Sequence, residues 1–462
     1  MSKTRKEQDS LGWVEFPADA LYGPQTARAV ANFPVSGWPM PREFIAALGL
    51  IKQAAAAVHR KAGRLEEGVA SAIVSASQEV IDGRLDEHFP VDVFQTGSGT
   101  SSNMNANEVI ARRAMQMLGE GGPEVHPNDH VNMGQSSNDV IPTAIHISTA
   151  LAVHTRLVPA LQGLRSALTA KAKQFDNIVK IGRTHLMDAV PIRLGQEFSG
   201  WAKQIDDALN MLGGGMARLC DLPIGGTAVG TGLNAPEGFA GTVCKIISAK
   251  TGMPFVEAPN HFAAQAAKDA ALFLSAVLRN VGIAMGKVAS DIRLLGSGPR
   301  CGIGELLLPV TQPGSSIMPG KVNPVICESV IQVACQVVGC DAAVAAGATG
   351  GVGGILELNV AMPLIASNLL TAIKLLTNAA KVFTDGCIKG IEANEARCRE
   401  LVEQSLAMVT ALAPRIGYDK AAKIAKQAYA SGKTIRQVCL EKEVLPEEDF
   451  TELLDAGKQT GN

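Results

Sequence analysis

The 462-residue chain carries 47% hydrophobic but only 4% aromatic side chains, with 42 basic against 44 acidic residues and a formal net charge of −2. Such a length is ample for a large core, and the near-neutral balance lacks the basic face that a nucleic-acid or membrane-surface partner requires. Ala, Leu, Val and Ile must then build the interior, which favours closely packed helices over a β-sandwich.

The first ten residues mix Lys and Arg with Glu7 and Asp9 and hold no apolar core, so they do not read as a signal or transit peptide. Residues 11–40 read as irregular, interrupted by Pro17, Pro24, Pro34 and Pro39. Helical patterns follow over 44–62 and 69–82, the second stopped by Gly83. A polar, Gly-rich loop over 94–100 leads into a helix over 103–118, and a second polar loop covers 126–138. From Val140 to about Asp385 long helical stretches with small residues dominate. Residues 262–295 read as one helix, with Leu272, Leu278, Val281, Met285, Ile292 and Leu295 at helical spacing. At 1.5 Å per residue it would be roughly 50 Å long, a length suited to a bundle or an oligomer core. Residues 325–346 and 361–382 read as further members, and a more charged, short-helical tail begins near Ile391. No uncharged apolar run free of Gly and Pro is long enough to cross a bilayer. Nine cysteines without a C-x-x-C pair argue against a disulfide framework, a zinc site or an iron–sulfur cluster. They point to a reducing, cytoplasmic setting.

One stretch concentrates the chemistry: Gly314, Ser315, Ser316, Ile317, Met318, Pro319, Gly320, Lys321, Val322, Asn323 and Pro324. Two glycines permit unusual backbone shapes, two serines bring hydroxyls beside main-chain N–H groups, and Lys321 adds one positive charge. Asn323 before Pro324 reads as an N-cap followed by proline at the first helical position, so the helix dipole would face the loop. A site of this kind suits a carboxylate substrate that gains negative charge as it reacts. Three other blocks share its polar composition: 97–100, 135–139 and 182–185, each expected at a helix end where free N–H groups bind anions.

Together with Gly225 through Asn234 and Ser297-Gly298-Pro299-Arg300, these blocks resemble, in order and from about Trp13 to Val438, the class II (iron-independent) fumarases of the fumarase/aspartase superfamily. The resemblance implies an all-α, three-domain subunit with a central long-helix bundle, divided as 1–138, 139–390 and 391–462. It implies reversible hydration of fumarate to L-malate in the tricarboxylic acid cycle, with no metal and no organic cofactor. Ser315 matches the catalytic base, His185 the histidine that activates a water, and Glu328 its carboxylate partner. Ser98, Thr100, Ser136, Ser137, Asn138 and Thr184 match groups that hold the dicarboxylic acid. Lys321 and Asn323 match those at the carboxylate beside the reacting carbon, with Ser316 a further ligand. His126, Asn128 and Asp129 match a second anion site. The expected assembly is a homotetramer whose active sites are shared between subunits, without nucleic-acid or membrane partners. Aspartate ammonia-lyase is the alternative, disfavoured by the serines of 136–139, and a non-catalytic crystallin-like protein is a remote one. Met133-Gly134 stand where Lys-Ser is common, and the residues after His185, Leu186-Met187, also depart from the commonest pattern.

Overall fold

The computed structural model describes residues 3–461. A hairpin of β1 (Thr4–Asp9) and β2 (Gly12–Pro17) precedes α1 (Pro24–Asn32), α2 (Arg42–Lys61), α3 (Glu67–Ile81), α4 (Thr100–Leu118), α5 (Ser137–Ala152) and α6 (Val158–Gln174). A second hairpin, β3 (Val179–Thr184) and β4 (Met187–Arg193), leads into α7 (Leu194–Leu219). Then come α8 (Phe239–Thr251), α9 (His261–Ala266), α10 (Asp269–Leu295), α11 (Val325–Ala348) and α12 (Met362–Gly386). Shorter helices close the chain: α13 (Glu395–Gln404), α14 (Ala413–Ile416), α15 (Tyr418–Ser431), α16 (Ile435–Glu441) and α17 (Glu447–Leu453). The helical architecture agrees with the expectation from composition.

Two local readings need correction. The N-terminal segment is ordered, because its prolines stand at element boundaries: Pro17 ends β2 and Pro24 opens α1. Arg5 fastens the hairpin, stacking 4.5 Å from the centroid of Phe16 and donating to the carbonyls of Ala18, Ala20 and Tyr22. The helix expected over 262–295 is two helices. Ala267 is extended (ψ 156°), and Lys268 turns its ammonium back onto the carbonyls of Gln265 and Ala267 at 2.7 and 2.8 Å, closing α9. The 27 residues of α10 remain, about 40 Å at the helical rise. By length and composition α10 and α11 could cross a membrane, but charged residues interrupt both, Arg279 and Lys287 in one and Glu328 and Asp341 in the other, so neither is an uncharged apolar run. Their glycines do not break them. Gly286 lies where an added Cβ would sit 3.1 Å from the Ala334 Cβ, so it permits close approach instead.

By packing, the chain forms two compact units, each drawing on distant segments: 3–159, 210–282 and 335–377 in the first, 160–209, 283–334 and 378–461 in the second. In the first, α2 packs on α3, α5 and α8. Phe44, Leu48 and Ile51 of α2, Ile73 of α3, Ile110 of α4 and Ile141 of α5 are almost fully buried, each worth roughly 1.5–3 kcal/mol of transfer free energy. Ala54, Ala55 and Ala56 of α2 are likewise buried, with nearly no exposure.

In the second unit the C-terminal helices enclose Val402, Met408, Leu412, Ile424, Ile435 and Val438, with Ile181 of β3 in the same cluster. Beside it lies a charged core. Glu305 is fully buried and takes a two-pronged bond from Arg183 (3.0 and 3.0 Å) and an ion pair from Lys180 (3.1 Å), which also meets Glu197 at 3.1 Å. Removing one member would strand a cation in the interior. Glu305→Ala should therefore destabilise the protein by roughly 3–5 kcal/mol, read as a lowered midpoint in thermal unfolding followed by circular dichroism. An unchanged midpoint would show that the network contributes nothing net.

Candidate active site

In the first unit, the loop before α4 is shaped by glycine. Gly99 caps α4 with φ +73°, and an added Cβ on Gly97 would fall 1.8 Å from the Val360 carbonyl oxygen. The loop must therefore lie directly on main chain. It delivers Ser98 and Thr100, whose hydroxyls are 2.8 Å apart, and Thr100 meets the Ser137 hydroxyl at 2.7 Å. Ser137 opens α5. Ser136 is its N-cap, accepting from the Asn138 N–H, while the Asp139 carboxylate accepts from the Ser136 N–H. This is a capping box. Asn138 donates to the Ala228 carbonyl at 2.8 Å, and Asp139 also accepts from the N–H groups of Gly225 and Thr227. The 225–234 block, which the sequence left without a role, is thus fastened to α5. Three hydroxyls and the first turns of α4 and α5 come together, the arrangement that binds anions.

The loop preceding α5 carries the residues expected of a second anion site. His126 caps the turn Pro127–Val131, its Nδ1 accepting from the Asp129 N–H at 3.1 Å with the Asp129 carboxylate the same distance from that nitrogen. Asn128 is exposed nearby. The Met133-Gly134 departure has a packing partner. The buried His59 ring bonds the Met133 carbonyl at 2.8 Å and stacks on Phe239, and a Cβ on Gly134 would lie 3.1 Å from that ring. A larger residue at 134 would therefore press on His59.

In the second unit, block 182–185 is not at a helix end. Val179, Ile181, Val190 and Ile192 make a hairpin whose two turn residues are His185 (φ +56°) and Leu186 (φ +62°). Two successive positive φ angles define a type I′ turn, normally the province of Asn and Gly. A leucine there is strained, and strain of this kind gathers at functional positions. The turn presents His185 beside the strongly exposed Leu186 and Met187, with Thr184 ending the strand.

The 314–324 stretch forms a loop tied at its base. Gly314 donates to the Lys321 carbonyl at 2.9 Å and accepts from the Asn323 side-chain amide at 2.6 Å. Asn323 is therefore a loop tie, not the N-cap expected from sequence; the Pro324 carbonyl takes the first helical bond, from Glu328 N–H. The Ser315 hydroxyl oxygen accepts from the N–H groups of Ile317 (3.3 Å) and Met318 (3.0 Å), with Ser316 exposed beside it. Lys321, Asn323 and Glu328 line a cavity of about 780 Å³ together with Arg293 and Ser297. Arg293 was missed in the sequence, although its place at the end of α10, before the 297–300 block, was a usable signal. Among the described residues, neither the His185 ring nor the Glu328 carboxylate has a hydrogen-bond partner within the chain, and no bond joins the two.

A family model described as lyase matches residues 12–339, and one described as fumarase C C-terminus matches 408–460. The chain is 51% identical over 453 residues to a class II fumarate hydratase of Rhizobium meliloti, covering 97% of each chain. It is 51% identical to the mitochondrial fumarate hydratase of Rattus norvegicus, covering 97% of this chain and 89% of that one. The class II fumarase of Schistosoma mansoni superposes with a TM-score of 0.95 at 41% identity over 98% of both chains. A fumarate lyase:delta crystallin from Brucella melitensis, solved bound to cobalt, gives 0.95 at 45% over the whole of both. The chain belongs to the class II fumarate hydratases. Its activity is that of a hydro-lyase on fumarate, and neither the ammonia-lyase nor the crystallin alternative is favoured. For this fumarate hydratase, the bonded hydroxyls of the first unit give a direct test. Ser137→Ala should raise KM for fumarate by about tenfold, the worth of one hydrogen bond to a charged group, and leave kcat within about threefold. An unmoved KM in steady-state kinetics would detach this cluster from substrate.

Proposed function

We propose that fumarate hydration in this chain is divided between a base on the 314–324 loop and an acid on the β3–β4 turn. In the malate-to-fumarate direction, Ser315 takes the C3 proton, and the electron pair moves into the adjacent carboxylate as an aci-carboxylate. Hydroxide then leaves C2 with a proton delivered through His185, with Glu328 as the carboxylate that raises the basicity of the ring. Lys321 and Asn323 hold the carboxylate that gains charge. Ser98, Thr100, Ser136, Ser137, Asn138, Thr184 and Ser316 hold the dicarboxylic acid, and His126, Asn128 and Asp129 form a second anion site. No step calls for a metal or organic cofactor.

The observation that carries this reading is the pair of N–H groups on the Ser315 oxygen. Serine is a poor base in water and becomes one only where donors stabilise its alkoxide. A loop that aims two main-chain donors at that oxygen, with a lysine following, supplies the required field. Ser315→Ala should lower kcat by roughly a thousandfold while KM stays within about threefold, because the carboxylates are held elsewhere. Near-normal turnover in the folded variant would remove the serine from the mechanism.

The same reading makes the enzyme a homotetramer with sites shared between subunits, functionally segmented as 1–138, 139–390 and 391–462. Its long helices bear large apolar side chains open to solvent in a single chain, among them Phe273 (45% exposed) and Ile283 (51%) of α10, faces suited to partner helices. The separation of His185 from any carboxylate bond within the chain supports completion of the site by a second subunit. Light scattering at working concentration should give four subunits, and a monomeric mass would overturn the assembly. A reducing, cytoplasmic setting fits nine free cysteines, among them Cys327 and Cys387, whose sulfurs are 3.8 Å apart, at thiol hydrogen-bond distance and not joined as a disulfide.

A further inference from the structure

Beneath the loop that feeds α5 lie two buried charges for which the proposed chemistry has no use. Lys52, in the middle of α2, is fully buried, and its ammonium donates to the side-chain carbonyls of Asn132 at 2.8 Å and Gln135 at 3.0 Å. Asp139, also fully buried, accepts three main-chain N–H bonds: from Ser136 and Gly225 at 2.9 Å and from Thr227 at 3.0 Å. The two are joined through adjacent residues, for Lys52 grips Gln135 and Asp139 grips Ser136. Burial pushes the Asp139 carboxyl up and the Lys52 ammonium down to about 7, and each charge opposes the other's shift. On the elements around α5 stand Lys52 and His59 of α2, Glu108 of α4, His261 of α9, and Asp221. Of these, Lys52 is the one bonded, through Asn132 and Gln135, to the loop that Asp139 anchors through Ser136.

We infer that Lys52 is a positioning residue for substrate binding: its charge keeps Asp139 ionised, and ionised Asp139 holds the Ser136–Asn138 turn and the 225–227 main chain in register. The inference rests on reading Ser136, Ser137 and Asn138 as ligands of the dicarboxylic acid. The physical reason is the acceptor count. A carboxylate has lone pairs for all three N–H donors, whereas a carboxylic acid turns one oxygen into a donor facing other donors. A buried carboxylate stripped of its counter-charge takes up a proton before it tolerates isolation. Loss of Lys52 would thus loosen the N-cap of α5 through Asp139, as well as removing the grip on Asn132 and Gln135.

The test compares full-length Lys52→Met with the unmodified enzyme in steady-state kinetics on fumarate between about pH 6 and about pH 9. At the acid end KM should be about tenfold higher in the variant, with kcat within about threefold. The KM ratio should fall as pH rises, to the small excess left by the lost bonds to Asn132 and Gln135. Asp139 then ionises unaided, while Lys52 in the unmodified enzyme has itself lost its proton. A ratio raised equally at every pH would make Lys52 a packing residue and overturn the inference, as would a ratio of one throughout. If Lys52→Met does not fold, Lys52→Gln, which keeps a donor but no charge, carries the same expectation. Ser137→Ala, measured alongside, separates the two readings. If Ser137→Ala raises KM and the Lys52 variants do not, the positioning role alone fails. If Ser137→Ala leaves KM unmoved, the ligand reading beneath it fails.

Discussion

The Asp139 carboxylate is the point on which the first unit's polar architecture turns. One buried side chain closes the capping box of α5 and takes the main-chain donors of Gly225 and Thr227. Without it, the start of α5 would leave unsatisfied N–H groups in a water-poor interior, where each costs about 1–3 kcal/mol. With it, two segments about 90 positions apart share one anchor, and the hydroxyl of Ser137 has a fixed place from which to meet Thr100. A chain so poor in aromatic residues places its polar groups by main-chain hydrogen bonds at helix starts more than by large rigid side chains.

The second unit follows the same logic with charges in place of a cap. Arg183, next to the last residue of its strand, binds Glu305, and Lys180, three residues earlier, reaches the same carboxylate across the register irregularity between Ile181 and Arg183. The strand end that carries Thr184 and His185 is therefore fixed by a buried ion network on one side and by a strained turn on the other. Rigid support beneath and a bare imidazole at the tip suit a residue that must exchange protons with a substrate.

Legibility in the sequence tracked how local the cause was. Helix α2 was readable because its apolar positions and polar ends lie within one stretch, and α11 and α12 for the same reason. The β3–β4 hairpin was not, because His185 and Leu186 occupy a turn that ordinarily announces itself with Asn or Gly. The gap between α9 and α10 was hidden too, since Lys268 folds back on its own carbonyls, which spacing does not record. At the candidate site, the polar blocks stood out by composition, and their membership in one family's pattern supplied the roles. What sequence alone withheld was adjacency: that Thr100 touches Ser137, that Asn323 ties Gly314, and that a lysine on an ordinary helix face lies wholly inside the protein.

The tie between Gly314, Lys321 and Asn323 also sets how the loop moves. Its base is closed by two hydrogen bonds, while Ile317 at its crest is 84% exposed. Only the six residues between Gly314 and Lys321 are free to rearrange, so ordering them over a bound molecule sacrifices the freedom of a short hoop instead of a long tether. An apolar crest held out in water gains by any closure that covers it. The loop is thus built as a short hoop with a greasy edge, cheap in entropy for anything that comes to rest beneath it.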